Sequence, residues 1–218
     1  MSEGTVDLLL KGTAETLLMT LAAGSIGALL GIPVGVFLYL TGKGQLLENR
    51  ILYAGISFPV NALRAVPFII LIVWMIPFTR LLVGTSIGVK AALVPLSLGA
   101  APFIARMIEN NLLEVPNGLI EAARAMGATS LQIVIKVLLP EALSPIVNSL
   151  TLTLISLVGF SAMGGAVGAG GLGQIGYQYG YIGYDPLVMN LVLALLIASV
   201  FAIQLLGNSL SRHFNHKL

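Results

Sequence analysis

Side chains able to do chemistry are few in this sequence, and their placement excludes most of it. Both histidines, His213 and His216, lie at the extreme C-terminus, and there is no cysteine. A disulfide, an Fe–S cluster and a thiol nucleophile are therefore excluded. No aspartate or glutamate falls inside a confidently apolar segment, so the acid–base inventory of a membrane-embedded hydrolase is missing. Residues 168–173 (Gly-Ala-Gly-Gly-Leu-Gly) formally match G-x-G-x-x-G. That fingerprint works only between a strand and a helix, with an acid roughly 20 residues on. Here it follows a long apolar run, and Asp185 comes too soon. The glycines instead suit helices in contact and a backbone that turns inside a protein-lined cavity. No Walker lysine motif occurs, so phosphate binding by a P-loop is not available to this chain.

Two features remain inside apolar sequence. Arg64 interrupts the run 51–77, and an arginine at a helix centre costs about 2.5–3.5 kcal/mol on insertion scales. It therefore faces a wet passage as a pore-lining or gating charge, or it snorkels toward an interface. Phe160, Ser161 and Met163 precede the glycine run 164–173, where the fourth apolar segment is expected to break. Met163 either lines a passage and its gate or fills ordinary packing space.

The most polar stretch, between Arg106 and Glu141, is organised differently. Pro116 can open a short helix, since proline tolerates the first helical position. Leu119, Ala123 and Met126 are expected to share one face, with Glu121 and Arg124 pointing elsewhere. Gly127 can end this helix in the left-handed cap. Thr129 and Gln132 spell a capping box for a second helix that is expected to stop at Pro140. A helix, a glycine corner and a second helix form a rigid elbow that a partner can grip.

The elements that carry these residues follow from composition. Of 218 residues, 57% are hydrophobic and only 9% charged, and the mean hydropathy is +0.98. A soluble domain carries roughly a quarter charged residues, so this is an all-α polytopic membrane protein. The net charge of +2 reflects basic loops, and no nucleic-acid partner is expected. Five transmembrane helices are expected at about 16–40, 51–77, 84–108, 145–168 and 187–210, with a loop at 109–141, all in one domain of 1–218. Gly27, Gly31 and Gly35 make a smooth face for close helix approach, and Pro33 is expected to kink the first span. The segment 1–15 holds Glu3, Asp7 and Glu15 against Lys11, the wrong charge for a cleaved leader. With the N-terminus outside, Lys43, Arg50, Arg106, Arg124, Lys136, Arg212 and Lys217 lie in the cytoplasm, against Lys11, Arg80 and Lys90 outside. That arrangement satisfies the positive-inside rule and puts the C-terminus in the cytoplasm.

The elbow resembles the "EAA" loop of permease subunits of ATP-binding-cassette importers. That pattern reads E-A-A, three residues, G, nine residues, I-x-L-P, and it is met by Glu121, Ala122, Ala123, Gly127, Val137, Leu139 and Pro140, with valine for isoleucine. Residues 64–67 (Arg-Ala-Val-Pro) resemble a short element of the amino-acid branch. Segments 73–79, 99–106 and 163–184 are similar to the methionine-importing branch. The resemblance implies a type I importer fold and a homodimer in the bacterial inner membrane, surrounded by lipid. It implies two ATP-binding subunits that carry ATP-Mg, and an extracytoplasmic substrate-binding protein. It also implies that Glu121, Ala122, Ala123, Arg124 and Gly127 couple to the ATPase, and that this chain has no catalytic site, cofactor or metal of its own.

The function implied is passage of methionine, D- or L-, by alternating access, with another amino acid as the alternative cargo. A passive channel would need no docking loop. An embedded enzyme would need the buried base that the sequence lacks.

Overall fold

The computed structural model describes residues 3–214. They form α1 (Glu3–Thr41), α2 (Arg50–Ala65), α3 (Phe68–Trp74), α4 (Ile76–Val83), α5 (Val89–Leu113), α6 (Asn117–Ala125), α7 (Ser130–Ile133), α8 (Leu139–Glu141), α9 (Leu143–Gly165), α10 (Gly171–Ile175) and α11 (Pro186–His213). Two π-helical stretches, Val134–Leu138 and Gly176–Ile182, complete the path. No strand occurs among the described residues.

Four helices are long and apolar enough to cross a bilayer: α1, α5, α9 and α11. The fifth crossing is broken. Between α2 and α3 the chain turns by 102°, because Pro67 has no N–H to donate and forces Val66 out of the helical region, to φ −77° and ψ 124°. The expected single span over 51–77 is thus three helices with a sharp elbow.

Helix direction comes from the contacts. A Cβ built on Gly27, Gly31 or Gly35 would meet Ala100, the Ala101 carbonyl, or the Ala105 carbonyl and Ile108. Position rises together on both helices, so α1 and α5 run parallel, with backbones touching along the glycine face. Parallel neighbours require the chain to return between them, and α2–α4 is that return. Helix α9 runs the other way. Its Ser149 pairs with Asn111 of α5 at 2.9 Å, while Phe160, near its C-terminal end, lines the same cavity as Gly99. Helix α11 is antiparallel to α9, since Ser211 meets Ser144 at 3.0 Å and Gly207 sits against Thr151. The 42–49 turn, the 114–142 segment and the end of α11 therefore share one end of the bundle, as the charge pattern required. His216 and Lys217 lie outside the described residues.

Several expected boundaries move. Helix α1 begins at Glu3 rather than near 16 and passes unbroken through Pro33. Helix α5 starts at Val89 and continues to Leu113, past the expected loop start at 109. Pro140 does not stop its helix. The wide π-turn, with Leu139 N–H donating to the Val134 carbonyl, lets the chain pass proline and rejoin α9 through an Ala142-to-Leu138 bond of 3.0 Å. The main core cluster spans α1, α3, α5, α9 and the 116–141 elbow, with smaller clusters around Leu172 and Val192 and around Leu38 and Val60. Met19, Leu96, Ile108, Leu138 and Leu157 are among the main cluster's buried members.

Candidate functional site

The elbow at 116–141 forms from local rules. Pro116 stands just before α6 with ψ 126°, and Asn117 begins the helix. At its end Gly127 has φ +79°, a value that L-residues rarely adopt. Its N–H donates to the Arg124 carbonyl at 2.9 Å, and the Ala128 N–H donates to the Ala123 carbonyl at 3.0 Å. Those two bonds are the Schellman pair. Two residues later the capping box closes. Thr129 Oγ1 accepts from the Gln132 N–H at 3.3 Å, and Gln132 Oε1 accepts from the Thr129 N–H at 2.9 Å. Both flanks of the corner are thus hydrogen-bonded, which makes it stiff.

The face it presents differs from the expectation. Ile120 and Ala123 turn inward, joining Val115, Ile133, Val134 and Leu138 in the core. Leu119 and Met126, expected beside Ala123, are exposed, Met126 by 82%. The residues 120 and 123 pair as i and i+3 because α6 is anchored at both ends by buried Val115 and by the elbow's second limb. Glu121, Ala122 and Arg124 also lie on the exposed side. The outward surface therefore mixes apolar Leu119, Ala122 and Met126 with one acid and one base. Leu131 and Ile135 extend it.

Away from the coupling elbow, exposed Arg64 lies in the last turn of α2, just before the bend at Val66. Its guanidinium carbon stands 5.9 Å from the centroid of the Phe103 ring, a cation–π distance. Among the described residues no carboxylate pairs with it. Arg64 borders a cavity of about 270 Å³ that also touches Phe68, Phe103, Thr153, Ser156 and Phe160. Phe160 stacks on Phe68 with centroids 4.5 Å apart and planes 9° apart. Met163, one turn on, is half exposed. Ser161 sits elsewhere. It is buried and donates to the Val158 carbonyl at 2.8 Å, so it turns to the interior rather than to the cavity. All three positions precede the break, because α9 continues to Gly165.

The glycine run after α9 is a tight reversal. Gly168, Gly170 and Gly171 have positive φ. A Cβ on Gly165 would collide with the Gly173–Gln174 backbone, and one on Gly173 with Ala162. Glu15 of α1 accepts from the Gly171 N–H at 2.8 Å, and Thr16 from the Leu172 N–H at 2.9 Å. The start of α10 is thereby capped by a helix far away in sequence.

Sequence reasoning missed one buried acid. Glu109 is 4% exposed inside α5. It pairs with Arg106, and it accepts from the Tyr53 hydroxyl at 3.0 Å. Arg106 also donates to Ser57 Oγ at 2.7 Å and Asn61 Oδ1 at 2.8 Å. This carboxylate is committed to pinning α2 onto α5, so it is not a free base. Its i,i+3 spacing from Arg106 was the available signal. The partners on α2 carried none. Among the described residues no cluster of three metal-ligating side chains exists.

Apolar helices crossing in alternating directions, with a stiff elbow at one end and an open cavity bordered by exposed Arg64, define a polytopic membrane protein built for transport. Residues 27–218 match the family of binding-protein-dependent transport system inner membrane components, and the chain belongs to that family. It is 53% identical over 211 residues to the probable D-methionine transport system permease protein MetI of Vibrio cholerae, covering 97% of this chain and 94% of that one. It is 64% identical over 165 residues to the D-methionine transport system permease protein MetI of Salmonella typhimurium, covering 76% of each. A chain of the MetNI methionine ABC transporter, solved in inward-facing conformations, superposes with a TM-score of 0.98 at 63% identity, over 99% of this chain and 100% of that one. An amino-acid ABC transporter solved with histidines shares the fold at a TM-score of 0.79 and 20% identity.

Proposed function

We propose that this chain is the permease subunit of an ATP-driven methionine importer, forming the passage and leaving hydrolysis to a separate ATPase subunit. The observation that carries the reading is whole-length agreement, in sequence and in fold, with a chain of a methionine ABC transporter. Two copies of the chain make the passage in the bacterial inner membrane, each docking one ATPase that holds ATP-Mg. An extracytoplasmic binding protein delivers the substrate. The N-terminus faces outward and the elbow inward, in keeping with basic residues gathered at the elbow's end of the bundle. The whole of 1–218 acts as one transmembrane domain.

The elbow is the transmission. Leu119, Ala122 and Met126 pack into the ATPase, with Glu121 and Arg124 at the rim and Gly127 holding the angle. Closure of the ATPase pair draws both elbows together, and the spans rock to open outward; after hydrolysis they open inward. The ATPase biases these two states only by contacting them differently. Arg64, Phe160 and Met163 border the route that substrate takes, while Ser161 supports α9 from behind.

Uptake of labelled D- and L-methionine into proteoliposomes holding permease, ATPase and binding protein tests this. ATP-dependent methionine accumulation is expected. Accumulation of another amino acid in preference to methionine would overturn the assignment of cargo.

A further inference from the structure

We infer that the cavity where the 42–49 turn meets α2 and α5 holds the headgroup of an anionic phospholipid from the cytoplasmic leaflet. The inference rests on the importer reading above for the choice of leaflet, through the orientation given there. Bounded by the end of α1, that turn, the start of α2 and the end of α5, the cavity measures about 630 Å³. That lies within the roughly 300–1,000 Å³ of small-molecule sites.

Its polar lining is one-sided, because the acceptors are already engaged and the donors are not. Glu109 is held by Arg106 and by the Tyr53 hydroxyl, and Glu48 accepts from the Gly44 N–H at 2.9 Å. Lys43 and Arg50 also line the cavity, and neither has a carboxylate partner among the described residues. Tyr39 lines it too and is only 2% exposed. Its hydroxyl makes no hydrogen bond to any described residue. A buried hydroxyl without a partner is unfavourable, so what this one lacks is a bound acceptor. Arg124 of α6 stands near enough for its charge to act on Tyr39. A phosphodiester supplies what these groups are missing, a negative charge and several acceptor oxygens.

The rim shows that the anion carries hydrocarbon. Leu113 lines the cavity and is half-exposed, and Leu47, Ile51 and Leu52 beside the two cations are exposed, Ile51 by 83%. Basic pockets between membrane helices on the cytoplasmic side take anionic headgroups, and an apolar shelf beside the cations receives the first methylenes of the acyl chains. A soluble anion would leave that shelf in water. Lipid bound here joins the ends of α1, α2 and α5 next to the Arg106–Glu109 pair, and so supports the same α2–α5 contact.

The test uses the permease–ATPase complex, delipidated in detergent and titrated with phosphatidylglycerol or with phosphatidylcholine of the same acyl chains. Retained lipid is counted by native mass spectrometry. Each basic residue near an anionic headgroup contributes roughly fivefold in affinity, so phosphatidylglycerol is expected to bind at least about tenfold tighter. Lys43→Gln combined with Arg50→Gln should remove that preference, and Tyr39→Phe, which keeps the ring, should reduce it about threefold. Lys136→Gln, an exposed cation outside the cavity, should leave it unchanged. An undiminished preference in the double variant, or an equal loss in Lys136→Gln, would overturn the site. Displacement of the lipid by equimolar inorganic phosphate would overturn it as a lipid site. Absence of retained phosphatidylglycerol, with Lys43→Cys shielded by the ATPase instead, would give the cavity to the ATPase and overturn the proposal as well. In this cysteine-free chain, Lys43→Cys should be labelled only from the cytoplasmic face of sealed vesicles, and labelling from the other face would overturn the leaflet. Methionine uptake by the parent complex is followed on the same preparation. Its absence would refute the importer reading, whereas uptake together with any of the failures above would refute the lipid site alone.

Discussion

Replacing Gly127 isolates what the elbow's angle is worth. Gly127 has φ +79°, and a Cβ added there would meet nothing within 4 Å. Steric crowding inside the chain therefore contributes nothing, and the whole cost is the backbone conformation. For an L-residue that cost is about 1–2 kcal/mol, less for asparagine and more for a β-branched side chain. A free-energy change of that size shifts an equilibrium by a factor of roughly 5–30. Both Schellman bonds, from Gly127 to Arg124 and from Ala128 to Ala123, depend on this one dihedral. When it relaxes, the limb beginning at Thr129 swings relative to α6. The permease itself should still insert and dimerise, because the spans are untouched. A series of Gly127→Asn, Gly127→Ala and Gly127→Val should show docking near parental, reduced, and lowered about tenfold or more. Pull-down of the ATPase and substrate-stimulated hydrolysis in reconstituted membranes read the two consequences. If alanine and valine couple like the parent, the angle does not matter. If asparagine is as damaging as valine, side-chain bulk rather than φ is at fault, and the argument from backbone conformation is wrong.

Two further outcomes follow from the burial pattern. Ala123→Asp should lower the thermal stability of the permease alone, since position 123 is packed in this chain's own core and a lone buried charge is strongly unfavourable. Ala122→Asp, one residue away but exposed, should spare that stability and weaken ATPase retention; identical melting of the two variants would refute the assigned faces. Glu109→Ala should strip Arg106 of its counter-ion and destabilise the α2–α5 contact by about 3 kcal/mol, the low end for a broken buried pair. Glu109→Gln, which keeps an acceptor for Tyr53, should lose less. Thermal inactivation of the solubilised complex ranks the three, and a silent alanine variant would show that the network does not bear on stability.

What could be read from the chain itself was whatever depends on neighbours in sequence. The Gly127 cap and the Thr129–Gln132 box are closed by residues three to five positions apart, so their spelling determined their geometry. The apolar length of α5, α9 and α11 likewise announced spans, because each must satisfy its own backbone in lipid. The glycines at 27, 31 and 35 announced a close contact without saying with what. Tertiary structure decided the partner, α5, and the parallel direction of the pair. It also decided which face of α6 turns inward, because Ile120 is drawn to a core formed by Val115, Ile133 and Leu138, whereas a helical repeat alone admits either face. Pro67 became a 102° elbow and Pro140 did not become a stop, since a π-turn absorbed the second and nothing absorbed the first. The Arg64 cavity was decided in the same way. Its walls come from α2, α3, α5 and α9, and no spacing along one helix encodes a meeting of four.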